Sequence, residues 1–491
     1  MTRTFFRTFL AMLLALALGV QSAAAQQCPP TECPNPPPRP GNSDSNRNVV
    51  LYVVGGILGV TLGAFIAARL FPTPEPGLPP EPPPSDPPPL LPVNLPPPGA
   101  GAGGAGKGGA PKGKTTVARK GFNLPALGAP HLSNEVILDI PSSVPTRQHD
   151  VIAARHSMTR LETQTFRLTG RTLHRWRIDG GGTVRDMILG MLGEGLVAGA
   201  QANHLFALAE NQIPQMTGDQ YAPEKLNLPE AHRLATGNRI LVAVIDSGID
   251  TSHPDLAEAV VRSFDAAAGN GSSHPHGTGM AGAIAARRTV LGVAPRVGVL
   301  AVRAFDPRTA GGEGTTFNII KGIEWAAENG ARIMNMSFAG PSDPRLSDVL
   351  DRASKRGIVL IAAAGNAGPN SPPLYPAADR NVIAVTATGI EDRLYAGANR
   401  GNHIAVAAPG VDVLVPAPGG NFQFTTGTSV AAAHVSGVAA LLIERNPKLT
   451  PSEVRRILTR TARSLGRGER NRDFGAGLVN AFQAVSSTGQ R

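Results

Sequence analysis

From residue 240 onward, the sequence alternates short apolar segments with longer segments of helical periodicity. The apolar segments predict buried strands at residues 240–245, 297–303, 332–336, 359–363 and 382–385, with helices between them such as 319–329 and 346–356. This alternation predicts an α/β fold with a doubly wound, mainly parallel sheet. Reactive side chains in such sheets collect at the carboxyl ends of the strands, so a site is expected at those ends.

Composition excludes several other classes of protein. With 42% hydrophobic residues, the 491-residue chain has enough apolar residues for a core, and it lacks the three-residue glycine period of collagen. Its two cysteines, Cys28 and Cys33, are too few for a scaffold built on disulfides. The net charge is +10, and its densest run, seven Arg in residues 455–472, has no interleaved aromatic residues for base stacking. A nucleic-acid partner is therefore not predicted.

The N-terminal part carries features of export and of membrane insertion. Residues 1–25 combine Arg3 and Arg7 with an apolar run and a final Ala23-Ala24-Ala25, which predicts a secretory signal peptide. An uncleaved membrane helix is the alternative for this segment. Residues 49–68 carry no charge and are long enough to cross a bilayer, so 49–70 is a transmembrane helix candidate.

A linker rich in Pro and Gly is predicted at residues 72–113. Residues 72–98 include 15 Pro, which predicts an extended polyproline spacer. Gly108, Gly113, Lys114 and Thr115 match the spacing of a phosphate-binding loop, the mark of an NTPase. That loop requires a buried strand before it, and a Gly/Pro tract stands there instead. The NTPase hypothesis is therefore not favoured.

Residues 134–211 predict a separate small α+β unit. Strand patterns at 135–140, at 163–178 around Gly170 and at 197–208 alternate with helical patterns at 146–156 and 183–192. The predicted order is β-α-β-β-α-β. A unit of this size is marginally stable on its own.

Four polar residues stand at predicted strand ends or near helix starts. Asp246 follows the apolar run 241–245, Asn366 follows the strand pattern at 359–363, His276 precedes a helix predicted at 280–286, and Ser429 begins an apolar helix predicted to reach about residue 444. Each has an ordinary structural explanation when taken singly, such as a helix cap for Ser429. Taken together, Asp, His and Ser in this order on a parallel α/β sheet match the subtilisin order of a nucleophilic triad.

Residues 227–485 resemble the catalytic domain of subtilisin-like serine proteases, the subtilase family. The motifs that carry the resemblance are Val242-Ala243-Val244-Ile245-Asp246-Ser247-Gly248-Ile249, His253-Pro254-Asp255-Leu256, His276-Gly277-Thr278, Asn335-Met336-Ser337-Phe338, Gly427-Thr428-Ser429 and Gly475-Ala476-Gly477-Leu478-Val479-Asn480-Ala481. The resemblance implies a subtilisin-like fold for a catalytic domain at 225–486 and activity as a serine endopeptidase that acts through an acyl-enzyme.

The resemblance also implies a role for each matching residue. Ser429 is the expected nucleophile, His276 the general base, and Asp246 the carboxylate that orients the imidazole. Asn366 is expected to donate a hydrogen bond in the oxyanion hole. The strand that binds substrate is expected at Ser337, Phe338, Ala339 and Gly340.

The sequence departs from the family pattern at several positions. Gly279 stands where the family usually has His, Ala339 where the substrate strand usually has Gly, and Val430 and Ala433 follow Ser429 in place of Met and Pro. Many subtilases bind calcium in the loop that corresponds to residues 287–291, but here that loop contains two Arg. We therefore expect no calcium ion there, and we predict no cofactor. A metal pair of His274 with His276 is not favoured, because no further ligands cluster with them.

Partners are also implied by the resemblance. The unit at 134–211 resembles the ferredoxin-like propeptides of subtilases, so we expect it to inhibit the enzyme until self-cleavage between Asn211 and Tyr221. Proteins or peptides are the expected substrates. The uncharged loops at 363–365 and 372–375 favour apolar or broad specificity. A catalytically silent protein that binds peptides in the same cleft is the alternative function.

The sequence allows two locations for the catalytic domain, inside or outside the cytoplasm. A cleaved signal followed by a stop-transfer segment at 49–70 would leave this domain in the cytoplasm. The segment is only marginally hydrophobic because it contains four Gly. Proteases of this class generally work outside the cytoplasm. We therefore expect a secreted or membrane-associated enzyme whose catalytic domain is periplasmic or extracellular.

Overall fold

Residues 121–208 form a four-stranded antiparallel sheet with two helices and a short additional strand. The computed structural model describes residues 121–126, 128–208, 220–269, 272–306, 312–466, 468 and 470–488. The first elements are β1 (Phe122–Asn123), β2 (His131–Asp139), α1 (Thr146–Arg155), β3 (Met158–Phe166), β4 (Arg171–Ile178), α2 (Val184–Met191) and β5 (Gly199–Leu208). The strand order is β3-β4-β2-β5, and the predicted β-α-β-β-α-β order is confirmed.

This N-terminal unit has its own apolar core. Leu138 of β2, Trp176 of β4 and Met191 of α2 are all fully buried in it. Strands β2 and β3 begin several residues earlier than predicted, at His131 and Met158. Their first halves carry polar side chains, so they lack the apolar alternation on which the prediction depended.

The remaining elements follow along the chain. The helices are α3 (Ala222–Lys225), α4 (Leu228–His232), α5 (Pro275–Ala285), α6 (Thr316–Glu328), α7 (Pro344–Lys355), α8 (Thr428–Arg445), α9 (Pro451–Arg460) and α10 (Ala481–Ser486). The strands are β6 (Leu241–Asp246), β7 (Val260–Asp265), β8 (Gly298–Arg303), β9 (Phe305–Asp306), β10 (Glu313–Thr315), β11 (Ile333–Met336), β12 (Phe338–Ala339), β13 (Val359–Ala363), β14 (Val382–Thr388), β15 (Ile404–Pro409), β16 (Val413–Ala417) and β17 (Asn421–Thr425).

Seven of these strands form one parallel sheet in the order β15-β14-β13-β11-β6-β8-β7. Its two faces lie in two different cores. Val242 and Val244 pack in a core with α5, α8 and α9, while Ala243 and Ile245 pack in a core with α6 and α7. Successive side chains of a strand point to opposite faces, so a strand covered on both faces has to be apolar throughout. This accounts for the continuous apolar runs in the sequence, and it confirms the doubly wound parallel sheet.

Two strands of this sheet were not predicted. β7 lies at the edge of the sheet and includes Arg262, Ser263 and Asp265, so it has no apolar run. β15 is the opposite edge strand, and three of its six residues are alanine, which does not distinguish a strand from a helix or a loop. The predicted strands agree with the structure to within a few residues.

Strand β5 connects the N-terminal unit to the rest of the fold. Leu205, Phe206 and Ala207 pair antiparallel with β10, and Ala207 and Leu208 pair antiparallel with β12. β5 therefore lies between two short strands, close to the carboxyl end of β11.

Several predicted segments lie outside the described residues. These are the signal peptide at 1–25, the transmembrane candidate at 49–70, the linker at 72–113 with the phosphate-loop match, and residues 211–219 of the predicted cleavage region. Among the helices that the structure describes, none is both long and apolar enough to span a bilayer.

Candidate active site

Asp246 and His276 form a buried pair at the carboxyl end of the parallel sheet. Asp246 is the last residue of β6, and His276 lies in the first turn of α5. His276 Nδ1 lies 2.7 Å from Asp246 Oδ1. A carboxylate can only accept, so Nδ1 carries the proton and Nε2 keeps its lone pair. The arrangement therefore leaves the imidazole as a base on its Nε2 side.

The helix that carries His276 begins earlier than predicted. The small-residue pattern placed it at 280–286, but α5 runs from Pro275 to Ala285. Pro275 occupies the first helical position, which suits its fixed φ, and His274 caps the helix by accepting a hydrogen bond from the backbone N–H of His276. His276 is thus held on a helix and not on a loop.

Two neighbouring residues fix the Asp246 carboxylate and the helix against each other. The backbone N–H and the Oγ of Ser247 both donate to Asp246 Oδ1, at 2.7 and 3.0 Å. Gly277 fits only because it has no side chain, since a Cβ there would lie 2.4 Å from the carbonyl oxygen of Gly248. This close contact explains the glycine that follows His276.

Ser429 is brought to the same edge of the sheet by strand β11. Met336, the last residue of β11, pairs with Ile245, which directly precedes Asp246. The next residue, Ser337, donates from Oγ to the backbone carbonyl of Ser429 at 3.0 Å, and Ser429 Oγ donates to the carbonyl of Ser337 at 3.2 Å. Ser429 is therefore fixed beside the end of the strand next to β6.

Ser429 also lies in the first turn of α8, an 18-residue helix. The N-terminal end of a helix carries partial positive charge from its aligned peptide dipoles. A negative charge that develops beside Ser429 would be stabilised by this end of the helix.

Asn366 follows β13 and its side chain has two different environments. Oδ1 accepts hydrogen bonds from the backbone N–H and the hydroxyl of Thr428, at 3.1 and 2.9 Å. Nδ2 is buried, and no partner for it exists among the described residues. The preceding Gly365 has a φ of +106°, a conformation that suits glycine. The backbone thus turns sharply and places an unused N–H donor beside the start of α8.

The four residues of the predicted substrate strand, Ser337 to Gly340, have different neighbours in the structure. Phe338 and Ala339 form β12 and pair with β5, whereas Ser337 faces Ser429. Gly340 lies beneath the ring of Phe206, since a Cβ on it would be 2.3 Å from that ring.

Strands β10 and β12 lie on the two sides of β5 and bound a cleft that β5 fills, and β10 was not predicted from the sequence. Its three residues, Glu313, Gly314 and Thr315, show no strand pattern, and β10 is defined by its pairing with β5 and β9. The cleft therefore holds β5 as a middle strand, with its backbone groups paired on both sides.

Phe206 of β5 fills an aromatic pocket in this cleft. Its ring is 1% exposed and packs edge-on against Phe338 at 6.0 Å between centroids. Phe305 lies behind Phe338 at 4.9 Å. The walls of the pocket are apolar, so it accommodates large apolar side chains.

One of the sequence departures, Gly279, is explained by packing. A Cβ on Gly279 would lie 2.9 Å from Val415 in the β16–β17 hairpin, so a histidine there would require that hairpin to move. Ala339 leaves the backbone pairing of β12 with β5 intact. For Val430 and Ala433 the structure shows only that both are buried in the core around α8.

The loop at residues 287–291 is held by protein groups. The buried carboxylate of Asp255 accepts backbone N–H bonds from Thr289 and Val290 at 2.9–3.1 Å. Gln220 exchanges two side-chain hydrogen bonds with the backbone of Leu291. Within the part of the chain that the structure describes, no three His, Cys, Asp or Glu side chains are grouped to hold a metal ion.

Comparison with known proteins agrees with this geometry. The profile of the subtilase family matches residues 237–477. Subtilisin of Bacillus pumilus is 40% identical over 277 residues, which cover 54% of this chain and 98% of that protein. Thermitase of Thermoactinomyces vulgaris is 35% identical over 281 residues, which cover 55% of this chain and 98% of that protein. Subtilisin E of Bacillus subtilis (strain 168) is 40% identical over 277 residues, which cover 54% of this chain and 71% of that protein.

A solved structure has the same fold. Fervidolysin from Fervidobacterium pennivorans, described as a keratinolytic enzyme related to subtilisin, superposes with a TM-score of 0.64 at 23% identity. The match covers 75% of this chain and 64% of the fervidolysin chain, so this chain spans less than two thirds of that protein. At this identity the likeness concerns the fold alone, and the predicted subtilisin-like fold is confirmed.

Proposed function

The chain belongs to the subtilase family and is a serine-type endopeptidase, and from this premise we propose that Asp246, His276 and Ser429 form its catalytic triad. The observation that carries the proposal is the 2.7 Å hydrogen bond from His276 Nδ1 to the buried Asp246 carboxylate. It leaves Nε2 as the basic atom, at the sheet edge where Ser429 is also fixed.

The reaction follows from these roles. His276 Nε2 takes the proton of Ser429 as Oγ attacks the scissile carbonyl, and later gives it to the leaving amine. Asp246 keeps the imidazole in the required tautomer and stabilises the imidazolium. Water then hydrolyses the acyl-enzyme. His276 Nε2 takes a proton from the attacking water and gives it to Ser429 Oγ as the acyl group leaves.

Asn366 is the proposed oxyanion donor. Its buried Nδ2 donor is unused by the described residues. The backbone N–H of Ser429, at the positive end of α8, is the expected second donor. Donors that are already oriented need no rearrangement when the oxyanion forms, which is why such groups contribute strongly to catalysis.

The substrates are proteins or peptides, and we infer that they bind as an extended strand between β10 and β12. This is the position that β5 occupies, with pairing on both sides. The pocket around Phe206 then favours an apolar side chain in the bound segment. The substrate strand of the enzyme would be Phe338, Ala339 and Gly340.

We further propose that the N-terminal unit is a propeptide that inhibits the enzyme until the enzyme cuts it. β5 fills the cleft, which excludes other peptides, and it ends at Leu208 opposite Phe338, the residue after Ser337. Gln220 and Tyr221 already bond to the catalytic fold, through Leu291 and Val411. The cut is therefore expected between residues 209 and 219, which begins and ends two residues earlier than the range 211–221 that the sequence predicts.

The triad is tested with Ser429→Ala. Activity on a denatured protein substrate should fall by roughly 10⁴–10⁶ in turnover, because only the oxyanion hole and substrate binding remain. Ser452→Ala, on the exposed first turn of α9, is the matched control and should keep wild-type activity. A Ser429→Ala enzyme with half of its activity would rule out the triad.

The alternative function, a silent peptide-binding protein, is tested by labelling. A fluorophosphonate probe should react with Ser429 in the wild type and not in Ser429→Ala. Lack of labelling in folded wild-type protein with an empty cleft would favour the alternative.

Self-processing is tested by mass spectrometry. Wild-type protein should yield a fragment that begins between residues 210 and 220, and Ser429→Ala should remain whole. Equal processing in both proteins would assign the cut to another protease.

We also propose that the catalytic domain works outside the cytoplasm. The support is the signal-like pattern of residues 1–25. An alkaline phosphatase fused after Arg491 should be active, whereas a bright cytoplasmic fluorescent-protein fusion without phosphatase activity would contradict the proposal.

A further inference from the structure

We propose that His274 is a positioning residue for the triad, and that its protonation switches the enzyme off independently of the protonation of His276. The inference rests on the triad proposed above. It predicts an acid limb of activity that is steeper than one titrating base can produce.

The position of His274 fixes its state in the structure. Its Nδ1 lies 3.3 Å from the backbone N of His276 and 3.0 Å from Ser247 Oγ. A backbone N–H can only donate, so Nδ1 accepts it and is unprotonated. The single hydroxyl proton of Ser247 is then shared between two acceptors at 3.0 Å, His274 Nδ1 and Asp246 Oδ1. The imidazole is therefore neutral, with its proton on Nε2.

His274 reaches the triad by two routes. The first is direct, because the N–H that it caps belongs to His276 itself. The second passes through Ser247, whose Oγ lies 3.0 Å from both His274 Nδ1 and Asp246 Oδ1 and accepts the N–H of Gly277 at 3.3 Å. The His274 imidazole thus contacts both the first turn of α5, which carries His276, and Ser247, which donates to the Asp246 carboxylate.

Protonation removes this support. An imidazolium has two donors and no acceptor, so the N–H of His276 loses its partner whichever way the ring turns. The new positive charge also lies at the N-terminal end of α5, where the helix dipole disfavours cations. Finally, it opposes the second positive charge that His276 must take up during catalysis.

Charged and polar groups from several elements lie around His274. On the side of β6 it faces Asp246 through Ser247, and on its own helix it faces His276. Its backbone N–H donates to the carbonyl of Gly248, beside which lies Arg303, paired at 2.8 Å with Asp265. The β16–β17 hairpin contributes the uncharged Gln423, which donates to the carbonyl of Pro275.

His274→Asn separates a titrating role from a simple cap. Asparagine is a preferred cap and remains an acceptor at every pH. We expect log kcat/KM of the wild type to fall below neutral pH with a slope between one and two. The variant should fall with a slope of one, and its ratio of kcat/KM at about pH 6 to that at about pH 9 should be higher than in the wild type, on the order of tenfold.

His232→Asn is the matched control. It removes an imidazole of α4 that bonds to the carbonyl of Val293, and it should keep the wild-type slope and ratio. His274→Ser, a second cap without a titrating group, should behave like His274→Asn. Circular dichroism of each variant verifies that it is folded.

The outcomes are distinguishable. Identical slopes and ratios in the wild type, His274→Asn and His274→Ser would overturn this inference while leaving the triad in place, provided that Ser429→Ala is inactive. An active Ser429→Ala would overturn the proposed triad, and this inference with it.

Discussion

Among single residues, Asn366 shows how a structural bond and a catalytic donor share one side chain. Oδ1 ties the end of β13 to Thr428 at the start of α8. Nδ2 has no partner among the described residues although it is buried. Leaving a buried donor unpaired costs about 1–3 kcal/mol. The oxyanion of a bound substrate would offset that cost at the point where negative charge develops.

Two substitutions separate these roles. Asn366→Leu should lower kcat by about 10²–10³ with a small effect on KM, because the donor matters only in the transition state. Asn366→Asp keeps the oxygen that Thr428 contacts but replaces the donor with a carboxylate oxygen. It should lose at least as much activity in steady-state kinetics. If Asn366→Asp stayed within about fivefold of the wild-type kcat, the structural bond would be the role of this residue.

At the scale of elements, the sequence predicts the strands and motifs whose pattern lies within one short segment of the chain. β6, β11 and β13 are buried on both faces, so their apolar runs identify them. Asp246, His276 and Ser429 stand in local motifs at the ends or starts of such elements. These parts of the fold and of the candidate site were therefore predictable.

Contacts between distant parts of the chain were not predictable in this way. β10 is a strand because β5 and β9 pair with it, and Phe206 is placed in its pocket by the whole N-terminal unit. His274 precedes a proline and belongs to no motif or periodic pattern that would have marked it in the sequence. Its significance depends on Ser247, 27 residues earlier in the chain.

The loop at residues 287–291 is an element whose stability we expect to depend on a carboxylate and not on calcium. Asp255 is 1% exposed and accepts from two successive backbone N–H groups. Hydrogen bonds to a charged acceptor stabilise by about 1.5–3 kcal/mol each. Both oxygens of the Asp255 carboxylate thus accept N–H groups of this loop.

Asp255→Asn should lower the midpoint of thermal unfolding by roughly 5–10 °C, because the neutral amide accepts these bonds less strongly. Added calcium should not restore it, and EDTA should leave the wild-type midpoint unchanged. Glu258→Gln, which alters an exposed ion pair with Arg288, is the control and should shift the midpoint by about 1 °C or less. A wild-type midpoint that falls with EDTA would contradict the expectation for this loop.

At the scale of the whole molecule, buried charges join the N-terminal unit to the catalytic fold. Asp343 caps α7 and accepts from His204 and Gln201 of β5 and from Thr316 of α6. Burial alone would raise the pKa of Asp343, but these hydrogen bonds, led by His204, hold it below its ordinary value. The carboxylate therefore stays charged between the two parts and holds them together.

The N-terminal unit also contains a histidine that makes its stability depend on pH. Burial, together with His149 and Arg160, lowers the pKa of His174 to about 4 from an ordinary value of 6.5. The folded unit thus binds fewer protons than the unfolded chain. Its stability is complete above pH 6.5 and declines as the pH falls towards 4, by about 3 kcal/mol in total.

Replacing His174 with Phe should move acid unfolding of this unit to lower pH. Phenylalanine keeps an aromatic ring beside Trp176 and His149 but binds no proton, so the penalty between pH 6.5 and about 4 disappears. The comparison uses full-length Ser429→Ala protein, which the proposed mechanism leaves uncut. The chain has two tryptophans, so adding Trp325→Phe to this protein leaves Trp176 as the single tryptophan that fluoresces.

Fluorescence of Trp176, fully buried in the core of this unit, then reports unfolding along a pH titration. We expect the midpoint with His174 to lie at higher pH than the midpoint with Phe. His232→Phe in α4, outside the N-terminal unit, is the control and should leave the midpoint where it is. Equal midpoints with His174 and with Phe would mean that His174 takes up its proton without unfolding the unit, and that other groups determine its acid sensitivity.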